Sequence, residues 1–208
     1  MIDTEEKAYF LGFFYADGYN AKYKREITIT LNEDDEDILQ AFKTLFSYSG
    51  EIKRHPEKLN SNGYMIRPTV ELSISSTYLT KKLEELGAPQ NKSFVIEFPT
   101  WLPKDLYRHF IRGYFDGDGC ITIKSTGYSV VSFCCNSKVF LEDLKVYLES
   151  KNIICRNVVC EQGSSRKRPI YILYLSKREN QLKFQNFIYS DKEIYLIRKY
   201  NKFMKIPR

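Results

Sequence analysis

Two aspartates, Asp17 and Asp118, carry the first chemical signal in the chain. Each ends an apolar stretch and is followed at once by glycine: Tyr9-Phe10-Leu11-Gly12-Phe13-Phe14-Tyr15-Ala16-Asp17-Gly18, and Phe110-Ile111-Arg112-Gly113-Tyr114-Phe115-Asp116-Gly117-Asp118-Gly119. Apolar residues at Phe110, Ile111, Tyr114 and Phe115 recur at helical spacing, which predicts a helix with a buried face. Aligned on the final Asp-Gly, Gly12 matches Gly113, Ala16 matches Gly117 and Asp17 matches Asp118. A glycine inside a helix costs about 1 kcal/mol relative to alanine. Small residues four apart share a helix face, however, and let a second backbone approach closely. Acids at a helix C-terminus oppose the macrodipole, so Asp116 and Asp118 call for compensation, most simply by a bound cation. Two helices packed through Gly12, Ala16, Gly113 and Gly117 would bring Asp17 beside Asp118, a hard-oxygen pair suited to Mg²⁺. One such helix alone reads better as a core helix whose acids cap a turn; two in register point to a shared site.

The elements around these helices repeat. Thr4-Glu5-Glu6-Lys7 opens the first, with acids in its first turn. Lys22 to Leu31 reads as strand, with Ile27, Ile29 and Leu31 on one face. The acid run 33–37 starts a helix over Ile38 to Phe46. Gly50 to His55 and Met65 to Ser75 read as a hairpin around Asn60-Ser61-Asn62-Gly63. Tyr78 to Leu86 is a third helix, closed by Gly87 and Pro89. The second half runs in the same order. Pro103 starts the motif helix. Cys120 to Lys124 and Tyr128 to Cys135 pair as strands, and Val139 to Leu148 is a helix. Ile153 to Glu161 and Ile170 to Ser176 form a hairpin. Glu179 to Tyr189 and Lys192 to Met204 are helical. The expected fold is α+β, with two pseudo-symmetric αββαββα repeats, residues 1–98 and 99–208. Each repeat carries an antiparallel sheet with helices on one face, and the two join through a two-helix interface.

The 208 residues are 43% hydrophobic and 15% aromatic, enough for a packed core. No apolar run approaches a membrane span, and the opening residues predict no secretory leader. Five cysteines without metal-site spacing read as reduced thiols, and a cytoplasmic or organellar-matrix location is expected. Residues 151–208 carry 14 Lys and Arg against 4 Asp and Glu, a net +10, which leaves −4 for residues 1–150. A surface so basic favours a polyanionic partner.

The two stretches resemble the motif of the LAGLIDADG homing endonucleases in their single-chain, two-motif form. Phe10 to Gly18 and Ile111 to Gly119 cover its nine positions. The second copy has both acids and both glycines. The first has Tyr15 at the first acid and Ala16 at a glycine position, but keeps Asp17. The resemblance implies curved sheets straddling a two-helix axis. It also implies a monomer that cuts both strands of DNA at a long, asymmetric target site and leaves short 3′ overhangs. Asp17 and Asp118, with Ala16 and Gly117 beside them, would be the metal positions for Mg²⁺. Mn²⁺ would substitute for it, and Ca²⁺ would bind without supporting cleavage. Lys92, in Asn91-Lys92-Ser93, matches a lysine the family places near its active site, and Lys192 falls at the equivalent point of the second half; both are otherwise readable as surface lysines. With only His55 and His109 present, and neither beside an evident partner, a histidine mechanism is not expected. Nor is an intein, since the chain lacks an N-terminal Cys or Ser and a C-terminal His-Asn.

The polar strand faces are the expected DNA surface, because a two-stranded ribbon fits the major groove. In the first half these are Lys22, Lys24, Arg25, Thr28, Thr30, Lys53, Arg54, Arg67, Thr69, Glu71 and Ser73. In the second they are Thr122, Lys124, Ser132, Arg156 and the Arg166-Lys167-Arg168 loop. A solvated antiparallel sheet has a polar face in any case. The alternative function is a descendant that binds DNA or RNA without cleaving it, as an intron maturase or a repressor would.

Overall fold

The computed structural model describes residues 1–161 and 168–207. They form two compact units, residues 17–91 and residues 1–16 with 92–208. The architecture is α+β, with two four-stranded antiparallel sheets of matching order. Among the described residues no helix is long and apolar enough to cross a membrane.

In residues 17–91 the sheet runs β1 (Gly18–Ala21), β2 (Glu26–Asn32), β6 (Thr69–Ser75), β3 (Lys53–His55). Alternation along β2 and β6 buries Ile27, Ile29 and Leu31 with Val70, Leu72 and Ile74. Against them pack α2 (Glu36–Leu45) and α3 (Thr77–Glu85), through Ile38, Leu39, Phe42 and Leu83. The Ser76 hydroxyl accepts from the Leu79 amide and caps α3.

Two expectations change here. Lys22–Lys24 is a 3₁₀ turn and Arg25 adopts φ +55°, so Lys22, Lys24 and Arg25 lie on the connection between β1 and β2 instead of on a strand. The strand Gly18–Ala21 carries no alternation of its own; pairing with Glu26–Ile29 defines it. The hairpin expected around residues 60–63 is split. β3 pairs with β6, while β4 (Lys58–Leu59) and β5 (Met65–Ile66) make a separate two-stranded ribbon. Within that ribbon the Asn60 side chain accepts from the amides of Asn62 and Tyr64, closing the turn without help from β6.

In the other unit the order β7 (Gly119–Ile123), β8 (Ser129–Cys135), β10 (Ile170–Tyr174), β9 (Val159–Glu161) repeats the pattern. The helix α1 runs Glu5–Asp17, and residues 8–15 are all buried. Its partner α4 is Tyr107–Asp118. Pro103 opens the turn before α4, where its carbonyl accepts from the Leu106 amide, and does not begin the helix. The helices α5 (Lys138–Ser150), α6 (Lys177–Tyr189) and α7 (Ile197–Met204) complete the unit. Phe115 sits edge-on to Phe133 and Phe184 at 5.2 and 5.1 Å, and Tyr114 lies 4.5 Å from Phe140. All five cysteines are free thiols.

Candidate active site

The site starts from the two motif helices. A Cβ placed on Gly12 would overlap the Phe110 carbonyl and stand 2.9 Å from the Tyr114 amide nitrogen. One on Gly113 would overlap the Tyr9 carbonyl and stand 2.8 Å from the Phe13 nitrogen. The two glycines therefore let each backbone lie directly on the other. Asp17 is the last residue of α1 and Asp118 the last of α4.

The carbonyl ends of both helices meet a buried lysine. Lys92 Nζ donates to the Ala16 carbonyl at 3.4 Å and lies 5.7 Å from the Phe14 ring. Lys199 Nζ donates to the carbonyls of Phe115, Asp116 and Gly117 at 2.6, 2.7 and 2.9 Å, and lies 5.4 Å from the Phe115 ring. Phe14 and Phe115, like Ala16 and Gly117, are matching motif positions, so the two lysines are equivalent. A cation on the last carbonyls of a helix is favoured by its dipole. The expected lysine of the second half was Lys192. Its ammonium instead lies over the rings of Tyr195 and Tyr200, at 4.8 and 4.1 Å.

The two acids of the second motif separate in role. Asp118 opens onto a cavity of about 170 Å³ shared with Ala16, Ser93, Cys134 and Asn136. Asp116 is wholly buried and is compensated by the protein itself, not by a cation as expected. Its carboxylate accepts from the Tyr9 hydroxyl at 2.9 Å, the Leu196 amide at 2.8 Å and the Tyr189 hydroxyl. Burial raises its pKa, against the pull of these donors and of Lys199. Beside it, buried Arg112 donates to the carbonyls of Ile188 and Ile194. Asp116 thus ties α1, α6 and the approach to α7 onto the motif helix. At the matching position Tyr15 is core, edge-on to Phe110 at 5.1 Å, with its hydroxyl pKa raised by burial. Asp116→Leu would strand three buried donors, each costing about 1–3 kcal/mol. Asp116→Asn should cost less, since its amide oxygen still accepts and its NH₂ can donate to the Tyr189 hydroxyl. Urea unfolding checks the order, and a Leu variant as stable as the Asn variant would contradict the assignment.

His109 is buried, and its pKa is lowered to about 4 by burial and by the charges of Arg112 and Arg108. It is therefore neutral near pH 7, with Nε2 accepting from Arg108 Nε at 3.0 Å. His55 lies on β3.

The expected DNA-contacting residues divide. Thr28, Thr30, Lys53, Thr69, Glu71 and Ser73 share the outer face of the first sheet by register. Arg54 turns the other way and pairs with Glu36 of α2 at 2.6 Å. Arg67 lies between β5 and β6. On the second sheet Thr122 is exposed, whereas Ser132 is buried. Lys124 lies 5.5 Å from the Tyr128 ring, and Arg168 stacks 4.5 Å from the Phe94 ring. Arg166 and Lys167 fall outside the described residues. Arg156 lines a cavity of about 420 Å³ with Tyr128, Tyr174, Lys177 and Arg178. Lys177 and Arg178 at this cavity, and Ser93 and Asn136 beside Asp118, were not among the expected residues. The charge excess after residue 150 signalled the first two, and no motif marked the others.

Among the described residues no group of three or more His, Cys, Asp or Glu side chains could hold a metal. At the end of α4 the donors are oxygens only, the Asp118 carboxylate and the Gly117 carbonyl; oxygen donors of this kind fit Mg²⁺, which keeps several waters and is held by one or two carboxylates plus substrate phosphates.

Residues 105–189 match the family model described as a LAGLIDADG-like domain. Among curated proteins the chain is similar to two from Methanocaldococcus jannaschii. It is 29% identical over 145 residues to the DNA-directed RNA polymerase subunit Rpo1C, covering 70% of this chain and 16% of that one. It is 27% identical over 188 residues to a probable translation initiation factor IF-2, covering 88% and 15%. The chain thus spans about a sixth of the length of these relatives. Among solved structures it resembles the homing endonuclease I-WcaI bound to its DNA recognition sequence (TM-score 0.68, 16% identity, 96% of this chain and 87% of that one). It also resembles the N-terminal LAGLIDADG domain of DUF199/WhiA (0.56, 18%, 96% and 89%). A third likeness is to I-SmaMI bound to uncleaved DNA in the presence of calcium ions (0.52, 18%, 95% and 87%). Residues 105–189, which hold the second motif helix, are thus matched as a LAGLIDADG-like domain, and the fold is shared with the homing endonuclease I-WcaI along 96% of this chain.

Proposed function

We propose that the chain is a site-specific, divalent-metal-dependent DNA endonuclease, acting as a monomer because each motif helix already has its partner within the chain. The observation that carries this reading is the matched pair of helix ends. Each motif ends in Asp, and each has a buried lysine on its last carbonyls, Lys92 for Ala16 and Lys199 for Gly117. A fold kept only for binding has no need of two acids and two cations at equivalent points.

Asp17 and Asp118 are proposed to hold the divalent ion, with the carbonyl ends at Ala16 and Gly117 beside them. When bound, the ion neutralises charge on the scissile phosphate and acidifies a coordinated water. The Asp118 cavity, bordered by Ser93 and Asn136, has room for the attacking water to be held in line. Attack at phosphorus forms the new P–O bond as the 3′ oxygen leaves and takes up a proton. Lys92 and Lys199 add positive charge where the transition state gains negative charge. Lys199 is proposed for the part that sequence reasoning gave to Lys192. The boundary between the two repeats is placed near residue 98.

Incubation with a randomised duplex library and Mg²⁺, followed by sequencing of the ends, tests the reading. Recurrent cuts within one long motif are expected, and random nicking or no cutting would count against it. The basic cavity should bind backbone phosphates. Replacing Arg156, Lys177 and Arg178 together should flatten the dependence of log affinity on log salt by about 0.9 for each phosphate no longer neutralised. An unchanged slope would remove this cavity from the interface.

A further inference from the structure

The outer face of the first sheet is organised around one carboxylate. Antiparallel register places Thr30 and Lys53 on either side of Glu71, with Thr28 opposite Ser73 and His55 opposite Thr69. Ser73 Oγ donates to Glu71 Oε1 at 3.1 Å, and Thr30 Oγ1 donates to Oε2 at 3.5 Å. A serine hydroxyl has one hydrogen. With that hydrogen on Glu71, the 3.3 Å contact between Thr28 and Ser73 runs from Thr28 to Ser73. Lys53 Nζ stands 3.7 Å from Oε1 and His55 Nε2 3.6 Å from Oε2. The hydroxyl hydrogens of this row therefore all run inward to the carboxylate.

Two hydroxyls fill two of the roughly four acceptor positions of a carboxylate. The Glu71 side chain is 23% exposed, so its remaining acceptors open on the outer face. Lys53 stands within ion-pair distance and offsets the charge of Glu71, so the carboxylate can face a polyanion and use its remaining acceptor positions on a donor of the partner.

Resting on the reading of the chain as a site-specific DNA binder, we propose that Glu71 is a specificity-determining residue that selects cytosine through its N4 amino group. In the major groove cytosine shows only that donor, whereas guanine shows O6 and N7 acceptors and thymine an O4 acceptor. Adenine offers an amino group but sets the N7 acceptor beside it, where the second carboxylate oxygen would be repelled. Ser73 and Thr30 are positioning residues, because their hydrogen bonds fix the carboxylate plane.

The test is selection of bound duplexes from a randomised library in Ca²⁺, by wild type and by Glu71→Gln, with thermal unfolding run in parallel. Wild type should enrich cytosine over guanine and thymine roughly tenfold at one position. Glu71→Gln, whose amide accepts from N6 and donates to N7, should turn that position to adenine and leave the others unchanged. Identical preferences for both proteins at every position would overturn the assignment while leaving DNA recognition intact. So would a uniform loss of affinity across all sequences. If wild type enriches no sequence, the DNA-binding reading itself fails and the Glu71 assignment falls with it.

Discussion

Gly113→Leu and Gly12→Leu should each leave a protein that no longer folds cooperatively, and Gly113→Ala should already be severely destabilised. The atoms in the way are backbone: a Cβ at 113 meets the Tyr9 carbonyl and the Phe13 nitrogen, and one at 12 meets the Phe110 carbonyl and the Tyr114 nitrogen. A rotamer change cannot relieve such a clash, so the helices must separate. Overpacking a core typically costs about 1–3 kcal/mol, and moving α1 off α4 also parts the Tyr15 and Phe110 rings and breaks the hydrogen bond from Tyr9 to Asp116. Total stability is usually only about 5–15 kcal/mol. Circular dichroism against urea would measure the midpoint. A Gly113→Leu variant with the wild-type midpoint would show that the glycines do not seat the helices.

The close approach at the glycines was legible in the sequence because helix geometry is local: residues four apart share a face whatever the rest of the chain does. The buried faces of β2 and β6 were legible for the same reason, through strict alternation. Where meaning depended on distant partners, the sequence was silent or misleading. Gly18–Ala21 has no strand pattern and becomes one only by pairing with β2. Asp116 resembles Asp118 in sequence but meets donors 107, 73 and 80 residues away, which turn it into a structural tie. Lys199 was missed for a related reason. The two lysines lie at unequal distances from their motifs, Lys92 76 residues beyond Ala16 and Lys199 82 beyond Gly117. Matching the halves by position alone therefore lands on Lys192. The helix α7 begins at Ile197, later than the expected Lys192, and it is this helix that carries Lys199 to the end of α4.

Lys192 and Lys199 also differ in what surrounds them. Lys199 is buried at a helix C-terminus, where three carbonyls replace its hydration. Lys192, half-buried, rests on two tyrosine rings, whose faces attract a cation electrostatically. The first arrangement sets a charge at the place where the motif ends, and the second anchors a side chain.

Asp17 and Asp118 are the residues on which the proposed cleavage depends most directly. Asparagine at either position keeps the shape and one oxygen but removes the charge needed to hold a divalent ion. Asp17→Asn and Asp118→Asn should therefore each abolish double-strand cleavage while DNA binding in Ca²⁺ persists. Tyr15→Phe should leave cleavage intact, because Tyr15 is core. Since both acids are assigned to one shared centre, losing either should disable both cuts and leave no clean nickase. The measurement is cleavage of a supercoiled plasmid carrying the mapped site, with Mg²⁺, scoring nicked and linear products separately. Intact supercoiled DNA is expected with both Asn variants, and linear product with wild type and Tyr15→Phe. Linear product at the wild-type rate from Asp17→Asn would contradict the assignment of both acids to one shared centre.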